Sequence, residues 1–458
     1  MIGTIAWKSL LAHPVRTAVL GIGFGLGVGV MATLLGVGEV VLMQARAPAL
    51  SGGGQLVLTG AAGPVTSARF VLNRVRTNAE VTAASPRRRG EVFLHMPGMA
   101  PIAVTATGGV PSLERALGDP ETGSIAAWTD EPRDAAWATP NPADVVRAMD
   151  RFHPVPDVPA RAESWAEWLY FKGRSGEVQC YITFLVGPAR TDGKRIAGVR
   201  LQLDRDGRVT SYAARELVDE AALLRDAPDL TVAGNRVRLE GLRYRVTLAL
   251  PPLGGPGPHV AGELVIDAVA GRSLPPIVLR GEGGWVSGYT VPVMSGALSG
   301  SLSIGAERIE LAGTGYHDHN WGFWEGVSWR WGQVQHGDLS FVYGRVIPPA
   351  DAADPARLPG FLVALGPDGP IGYSSDARIQ ETDDPATGRP TRIEVSGRGQ
   401  AFDVNMEITV EDAIVTPGGA LAAGPDFLQL RARYHVTGRA DGERIDFVAP
   451  GAAETFRK

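Results

Sequence analysis

The chain contains little of several residue classes, and each shortage excludes a structure or a function. A single cysteine, Cys180, rules out an intramolecular disulfide. Charged residues make up 20% of the 458 residues, the net charge is −5, and no long basic tract occurs. Nucleic acid is therefore not an expected partner, because phosphate binding needs clustered Lys and Arg. Only one apolar run is long enough to cross a bilayer, so the chain is not itself a permease.

Glycine and proline are abundant, and they favour a mainly β protein. The 59 glycines and 34 prolines are about a fifth of the chain. From Ser164 onward, strand-like segments recur at intervals of roughly 8–15 residues, with Asp192-Gly193 and Asp206-Gly207 as hairpin turns. This pattern predicts closed antiparallel barrels or sandwiches, with 216–225 as the one helix among these strands. Before Ser164, short helices are predicted at 65–75 and 143–151.

The N-terminal region carries the one long apolar run. Thr17 to Gly38 is a stretch of 22 residues without charge, preceded by Lys8 and Arg16. We expect a single-pass anchor in the inner (cytoplasmic) membrane, with the bulk of the chain on the periplasmic side. A cleaved signal peptide ending at Ala45-Arg46-Ala47 is the alternative, but its late position and the following Pro48 favour the uncleaved anchor.

The segment from Gly313 to Arg345 has the densest chemistry in the sequence. It holds four of the ten tryptophans and three of the eight histidines. Side chains alternate between the two faces of a strand. The predicted faces are His317, His319 and Trp321 on one side and Tyr316, Asp318 and Asn320 on the other. One face is expected to line a cavity and the other to hold it in position by hydrogen bonds. A hairpin is predicted next, with strands at 329–335 and 339–346.

The stretch GTGYHDHNWG, from Gly313 to Gly322, resembles the signature of the carotenoid 1,2-hydratase (hydroxyneurosporene synthase) family and its AttH-type relatives. Some fungal Diels–Alderases are similar at the same place. Further resemblance lies at Ala166–Phe171, Gly288–Pro292 and Gly451–Phe456, so that it covers residues 160–458. It implies two lipocalin-like antiparallel β-barrels with an apolar ligand cavity. Preceded by the membrane helix, these give four predicted segments: 1–45 (anchor), 46–160 (extracytoplasmic spacer), 161–350 (first barrel) and 351–458 (second barrel).

The resemblance also implies catalytic residues. The catalytic His and Trp of the family fall on His319 and Trp321, and its Tyr falls on Tyr343. The Asp that follows this Tyr in hydratases is absent here, where Gly344 comes next. Asp318 can replace that acid if burial raises its pKa. The predicted catalytic set is therefore His319, Asp318 and Tyr343.

The predicted ligand contacts are aromatic, imidazole and guanidinium groups of the same segment. They are His317, Trp321, Trp329, Trp331 and Arg345. No cofactor is expected. A metal is not expected either, because His317-x-His319 has ligand spacing but no distant Cys, His or Glu cluster completes it.

Three functional interpretations follow. The first is a membrane-anchored hydratase, or hydro-lyase, that adds water to the terminal alkene of an isoprenoid or lipid-like molecule. The second is a non-catalytic carrier of hydrophobic ligands beside an ABC exporter, because residues 7–39 also resemble the first membrane helix of ABC exporter permeases of the macrolide and lipoprotein type. The third is that the HDHN cluster is a buried hydrogen-bond network without chemistry of its own.

Overall fold

A computed structural model describes most of the chain after residue 65. The described residues are 56–59, 65, 68–76, 78–94, 102–119, 125–138, 141–205, 207–399, 401–416 and 427–456, with six single positions before residue 32. Apart from a few of those positions, the predicted membrane helix lies outside the described residues. Among the residues that are described, no helix has the length and apolar character needed to cross a membrane.

The described residues divide into two compact units, one within 1–65 and 72–139 and the other within 66–71 and 140–458. The first unit contains an antiparallel hairpin of β1 (Arg87–Leu94) and β2 (Ile102–Gly109). The helices are α1 (Ala68–Arg76), α2 (Pro111–Ala116), α3 (Ala135–Ala138), α4 (Pro142–Met149) and α5 (Glu220–Asp226). All are short, so β-strands build the larger unit.

The first barrel is a curled sheet of eleven antiparallel strands. They are β3 (Trp165–Ser175), β4 (Val178–Ala189), β5 (Lys194–Arg205), β6 (Arg208–Asp219), β7 (Leu230–Val232), β8 (Asn235–Glu240), β9 (Arg243–Leu250), β10 (Val260–Asp267), β11 (Leu274–Arg280), β12 (Val286–Ile304) and β13 (Glu307–Phe323). Their order is β6-β5-β4-β3-β13-β12-β10-β9-β8-β7, with β11 paired to β12. The two edge strands come together, because the N–H of Ala233, directly after β7, donates to the Glu216 carboxylate of β6.

The second barrel is closed and has eight strands. They are β14 (Ser328–His336), β15 (Leu339–Ile347), β16 (Gly360–Gly366), β17 (Gly369–Asp383), β18 (Pro390–Gly399), β19 (Phe402–Thr416), β20 (Phe427–Ala440) and β21 (Glu443–Phe456). Each strand pairs with the next in the chain, and β21 returns to pair with β14. This up-and-down closure leaves no free sheet edge. The predicted mainly β fold with two antiparallel barrels is confirmed.

The predicted hairpin after the central motif is present as β14 and β15, but it pairs within the second barrel. Trp329 lies opposite Phe456 of β21, and Gly344 lies opposite Phe361 of β16. The sequence analysis had placed this hairpin in the first barrel. The alternation of side chains identifies β14 as a strand. Its pairing with β21 could not be predicted in the same way, because the paired residues lie more than a hundred positions apart in the sequence.

Buried clusters of apolar side chains hold the two barrels. Apolar side chains fill the interior of each barrel, with Leu169, Ile182 and Val246 in the first and Phe341 and Leu430 in the second. A third cluster lies between the outer faces of the barrels. Strands at this interface are therefore buried on both faces, which explains the near-continuous apolar and aromatic runs in β3 and β12.

Candidate functional site

Strand β13 carries the central motif, and its two faces meet different surroundings. The strand lies between β12 and β3, where His317 is opposite Phe171 and Asp318 is opposite Tyr170. His317 and His319 point into the first barrel, and Tyr316 and Asp318 point to the interface between the barrels. This separation follows the alternation that the sequence predicts.

On the inner face, His317 is fixed by a buried acid. Its Nε2 lies 2.8 Å from Asp150 Oδ2, and its Nδ1 lies 2.9 Å from the Tyr170 carbonyl oxygen. The Tyr244 hydroxyl also donates to Asp150 Oδ2. The Phe171 ring stacks on the imidazole with centroids 4.1 Å apart. The His317 ring is thus fully packed, with both nitrogens engaged.

A second acid fixes His319. Its Nε2 lies 2.9 Å from Glu167 Oε1, which is also 2.7 Å from the Nδ1 of His153. The His153 backbone N–H donates to the same carboxylate at 3.0 Å. The His153 ring stacks on Trp321 with centroids 4.3 Å apart. The segment that follows α4 therefore anchors to β13 through imidazole–carboxylate pairs.

The inner network favours the charged forms of its groups. Burial alone raises the pKa of Asp150, but its interactions with His317 and His319 outweigh that effect and hold this pKa well below its ordinary range. Burial likewise opposes ionisation of Glu167, and its hydrogen bonds from His153 and His319 lower its pKa nevertheless. Burial lowers the pKa of His319, but hydrogen bonds to Asp150 and Glu167 raise it to about 9.

Asp150, His153 and Glu167 are partners that the sequence analysis missed. Their separations from β13 exceed 150 residues in the pairs Asp150–His317 and Glu167–His319, and nothing local links them to the motif. The donor atoms of His153, Glu167 and His319 lie within 4.8 Å of one another and are of the types that hold a metal ion. In this geometry the Glu167 carboxylate already hydrogen-bonds to both rings.

On the outer face, four side chains form a chain of hydrogen bonds that ends at Asp318. The Trp331 Nε1–H donates to the Tyr289 hydroxyl at 2.9 Å, which lies 2.8 Å from the Tyr316 hydroxyl. The Tyr316 hydroxyl donates to Asp318 Oδ2 at 2.8 Å. Asn320 Nδ2 donates to the other oxygen of Asp318 at 2.8 Å. Both barrels supply this chain, because Trp331 belongs to β14.

The electrostatics of the outer face are opposite to those of the inner face. Burial raises the pKa of Asp318 well above its ordinary value, and the nearby charge of Glu454 raises it further, although Tyr316 and Asn320 work in the other direction. Burial also raises the pKa of Glu454 to about 7. Burial therefore favours the neutral form of Asp318, and the interface holds a second acid, Glu454, whose pKa lies near neutrality.

Two cavities lie along the interface on the side of Tyr316. The first, of about 300 Å³, is lined by Lys172, Arg174, Thr314, Gly315, Tyr316, Gln333, Gln335, Gly337 and Pro450. The second, of about 500 Å³, shares Arg174 and Pro450 with the first and extends to Glu411, Arg431 and Arg433. Neither of these two cavities is lined by His317, His319 or Trp321.

The other predicted residues lie at separate places. Tyr343 belongs to the core of the second barrel, on the β15 face opposite Val342, which packs at the interface. Trp329 stacks on Phe456 with centroids 4.4 Å apart. Arg345 donates to the carbonyl oxygens of Leu358 and Pro355 and so fixes a loop. The structure thus brings Trp331 to Asp318 but does not bring Tyr343 or Arg345 there.

No protein-family model and no curated protein matches this chain. Among solved structures, a candidate AttH from Nitrosomonas europaea is 16% identical, with 67% of this chain and 99% of that one covered and a TM-score of 0.44. CghA is 12% identical over 64% of this chain and 88% of its own, with a TM-score of 0.45. Kievitone hydratase from Nectria haematococca is 13% identical over 67% and 96%, with a TM-score of 0.44. These likenesses are distant, and the two-barrel fold rests on the strand pairing described above.

Proposed function

We propose that the interface between the barrels catalyses the addition of water to a carbon–carbon double bond, as a hydratase or hydro-lyase, with Asp318 as the proton donor. One observation carries this proposal. Asp318 is a buried carboxyl group whose pKa is raised well above its ordinary value. Its Oδ2 lies 2.8 Å from the Tyr316 hydroxyl oxygen, and Tyr316 lines the cavity of about 300 Å³. A neutral acid beside a cavity is what protonation of an alkene requires.

The proposed reaction begins with proton transfer along the short path from Asp318 to Tyr316. In its neutral form the Asp318 carboxyl group donates its O–H to the Tyr316 oxygen, 2.8 Å away, and the Tyr316 O–H turns to the substrate. Asp318 then gives its proton to Tyr316 while Tyr316 passes its own proton to one carbon of the double bond. The other carbon becomes cationic, and the aromatic faces at the interface stabilise it through their negative quadrupoles. Water then attacks the cation, and the proton released returns through Tyr316 to Asp318. Atoms and charges balance, and the acid is regenerated.

The cavity volume bears on the substrate class. Ligand pockets commonly measure about 300–1,000 Å³, and the cavity at Tyr316 is at the lower end of this range at about 300 Å³. This size favours a small unsaturated molecule, or the end of an isoprenoid chain, as the portion that enters. The cavity does not accommodate a whole carotenoid.

His319 is assigned a positioning role in this proposal. Its ring is completely buried on the inner face and lies 2.9 Å from Glu167 Oε1. Asp318 is the next residue towards the N-terminus, and its carboxyl group is held at the interface by the strand that His319 anchors. Loss of His319 is therefore expected to reduce activity through loss of structure.

The test uses purified full-length protein incubated with a panel of terminal isoprenoids, including acyclic carotenoids. The expected product is heavier by one water, as measured by mass spectrometry. Asp318→Asn keeps the shape and removes the acid, so it is expected to abolish the product. Asp338→Asn changes an exposed turn residue and serves as the matched control. Retention of full activity by a folded Asp318→Asn variant would falsify the assignment of the acid.

A non-catalytic carrier is the second candidate, favoured by a group of partly buried aromatic rings at the interface. They are Trp168, Trp324, Trp329, Phe427 and Phe456. Such rings can bind an apolar ligand without any bond chemistry. A ligand that co-purifies and is retained equally by Asp318→Asn, with no turnover by either protein, would support the carrier.

Membrane attachment, the periplasmic location and the neighbouring exporter remain proposals that rest on residues 7–39 of the sequence. Membrane fractionation compares the full chain with a variant that begins at residue 46. The full chain is expected in the inner-membrane fraction and the shortened chain outside it. An equal distribution of the two would contradict the anchor.

A further inference from the structure

One cavity residue has no role in the proposed hydration. Lys172 lies on β3, two positions beyond Tyr170 on the face that meets the second barrel, and its side chain is only 6% exposed. It lines the cavity of about 300 Å³. Its Nζ donates to the side-chain oxygen of Gln333 at 3.2 Å. An amine group is thus buried at the wall of a cavity and has a neutral partner.

The surroundings of Lys172 favour the uncharged amine. Burial lowers its pKa from 10.5 to about 7, and the positive charge of Arg174 lowers it further, with Glu454 acting in the opposite direction. At neutral pH, the free amine and the protonated amine are therefore present in comparable fractions. Lysines that are desolvated, or that lie beside a second cation, are the ones that act as nucleophiles in proteins.

Arg174 supplies a charge at the same cavity. It lines both cavities of the interface, and its Nε–H donates to the Gly176 carbonyl oxygen at 3.4 Å. Among the residues that the structure describes, no carboxylate forms an ion pair with its guanidinium group. A guanidinium group that lines a cavity and has no ion-pair partner can bind the carboxylate or phosphate of a ligand.

We propose that Lys172 captures a small carbonyl compound as an imine, and that Arg174 binds an anionic group of that compound, such as the carboxylate of a 2-oxo acid. The amine nitrogen attacks the carbonyl carbon, and both amine hydrogens pass to the carbonyl oxygen, which leaves as water. A carbon–nitrogen double bond forms in place of the carbon–oxygen double bond. No oxidant or reductant is needed. The step goes beyond the proposed hydration, because it uses neither the proton of Asp318 nor a double bond between carbons.

The sequence makes the site simple to map, because the chain contains only four lysines. They are Lys8, Lys172, Lys194 and Lys458. The full-length protein is incubated with pyruvate and sodium cyanoborohydride, which reduces an imine to a stable secondary amine. Intact mass spectrometry is expected to show one adduct, with the mass of pyruvate less one water plus two hydrogens. Peptide mapping is expected to place it on Lys172.

Variants separate the two parts of the proposal. Lys172→Arg is expected to give no adduct, and Lys194→Arg, at an exposed lysine, is expected to give the full amount. Arg174→Gln is expected to lower the yield with pyruvate at least about tenfold, the effect of losing one charge-assisted contact, but to leave the yield with neutral propanal unchanged. Asp318→Asn is expected to keep the adduct whether or not hydration is lost.

Three results would overturn the inference. They are the absence of an adduct on the wild-type protein, an adduct of equal yield on folded Lys172→Arg, and an adduct mapped to another amine. Because the wild-type mapping needs no variant, a folding failure of Lys172→Arg leaves the test intact. An equal pyruvate yield in Arg174→Gln would overturn the role of Arg174 alone.

Discussion

Replacement of His319 by Gln is expected to remove a pH-dependent part of the stability of the first barrel. The imidazole is fully buried, and its pKa is raised from 6.5 to about 9 by its two acidic partners despite the opposing effect of burial. A change of this size corresponds to a stabilisation of about 3 kcal/mol, because each pKa unit is worth about 1.4 kcal/mol. Gln fills similar space and can hydrogen-bond, but it does not titrate.

Because the pKa of His319 is raised in the folded chain, the stabilisation decreases as the pH rises. Below pH 6.5 the imidazole is protonated in both the folded and the unfolded chain, so the stabilisation is fully present. Between pH 6.5 and about 9 the unfolded chain loses the proton while the folded chain keeps it, and the stabilisation falls. Above about pH 9 it is lost. The lowered pKa values of Asp150 and Glu167 describe the same ion pairs and are not added to it.

The assay is urea unfolding of wild type and His319→Gln at about pH 6 and about pH 9.5, with the free energy of unfolding taken by linear extrapolation. Other buried groups titrate in this window. Lys172, with its pKa lowered to about 7, makes the folded chain more stable as pH rises, and Glu454 acts in the opposite direction below pH 7. Both contributions are the same in wild type and His319→Gln, so they cancel in the difference between the two free energies of unfolding.

The difference in unfolding free energy between wild type and variant is expected to shrink by about 3 kcal/mol from the lower to the higher pH. Removing one partner of a buried ion pair also costs about 3–5 kcal/mol by itself, so the variant is less stable at both pH values. A difference that stays constant across the window would refute the charged state assigned to His319. A difference that grows with pH would refute its sign.

Three further experiments, two with variants and one with a thiol reagent, test the packing. Tyr244→Phe removes the hydrogen bond to the buried Asp150 carboxylate, and a loss of about 1.5–3 kcal/mol in unfolding free energy is expected; an unchanged value would show that the hydroxyl contributes nothing. Gly332→Ala places a methyl group against the Tyr343 ring, and overpacking is expected to lower the free energy of unfolding by about 1–3 kcal/mol. An unchanged melting temperature would contradict the close packing. Burial raises the pKa of Cys180 to about 12. A thiol reagent is therefore expected to leave Cys180 unmodified until the chain unfolds. Rapid labelling of the folded protein would disprove the position of Cys180 in the barrel core.

Local patterns in the sequence predict the two faces of β13 correctly, whereas residues 216–219, predicted as the start of a helix, are the end of β6. Alternation alone separates His317 and His319 from Tyr316 and Asp318, and the structure confirms this separation. The helix predicted at 143–151 is α4 at Pro142–Met149, where the Asn141 side chain accepts a hydrogen bond from the Ala143 N–H and caps the start.

The partners of these side chains could not be predicted in the same way. Asp150 follows a helix that the sequence treats as part of a spacer, and Glu454 lies near the end of the chain. Each reaches β13 only because two barrels close and pack face to face. Such contacts depend on register and closure, which arise from the whole set of strands.

One strand therefore presents opposite electrostatics on its two faces. On the inner face, Asp150, Glu167 and His319 stabilise one another as charges, and every polar atom of the imidazole is engaged. On the outer face, Asp318 has neutral donors and another acid for neighbours, so burial keeps its proton in place. The proton of the His319 imidazole is held by Asp150 and Glu167, and His319 lines neither of the two cavities described above. Asp318 instead lies next to Tyr316, which lines the cavity of about 300 Å³. The acid missing after Tyr343 therefore does not exclude proton transfer in this protein, because the same strand that holds the imidazoles carries on its other side a carboxyl group whose neutral form burial favours.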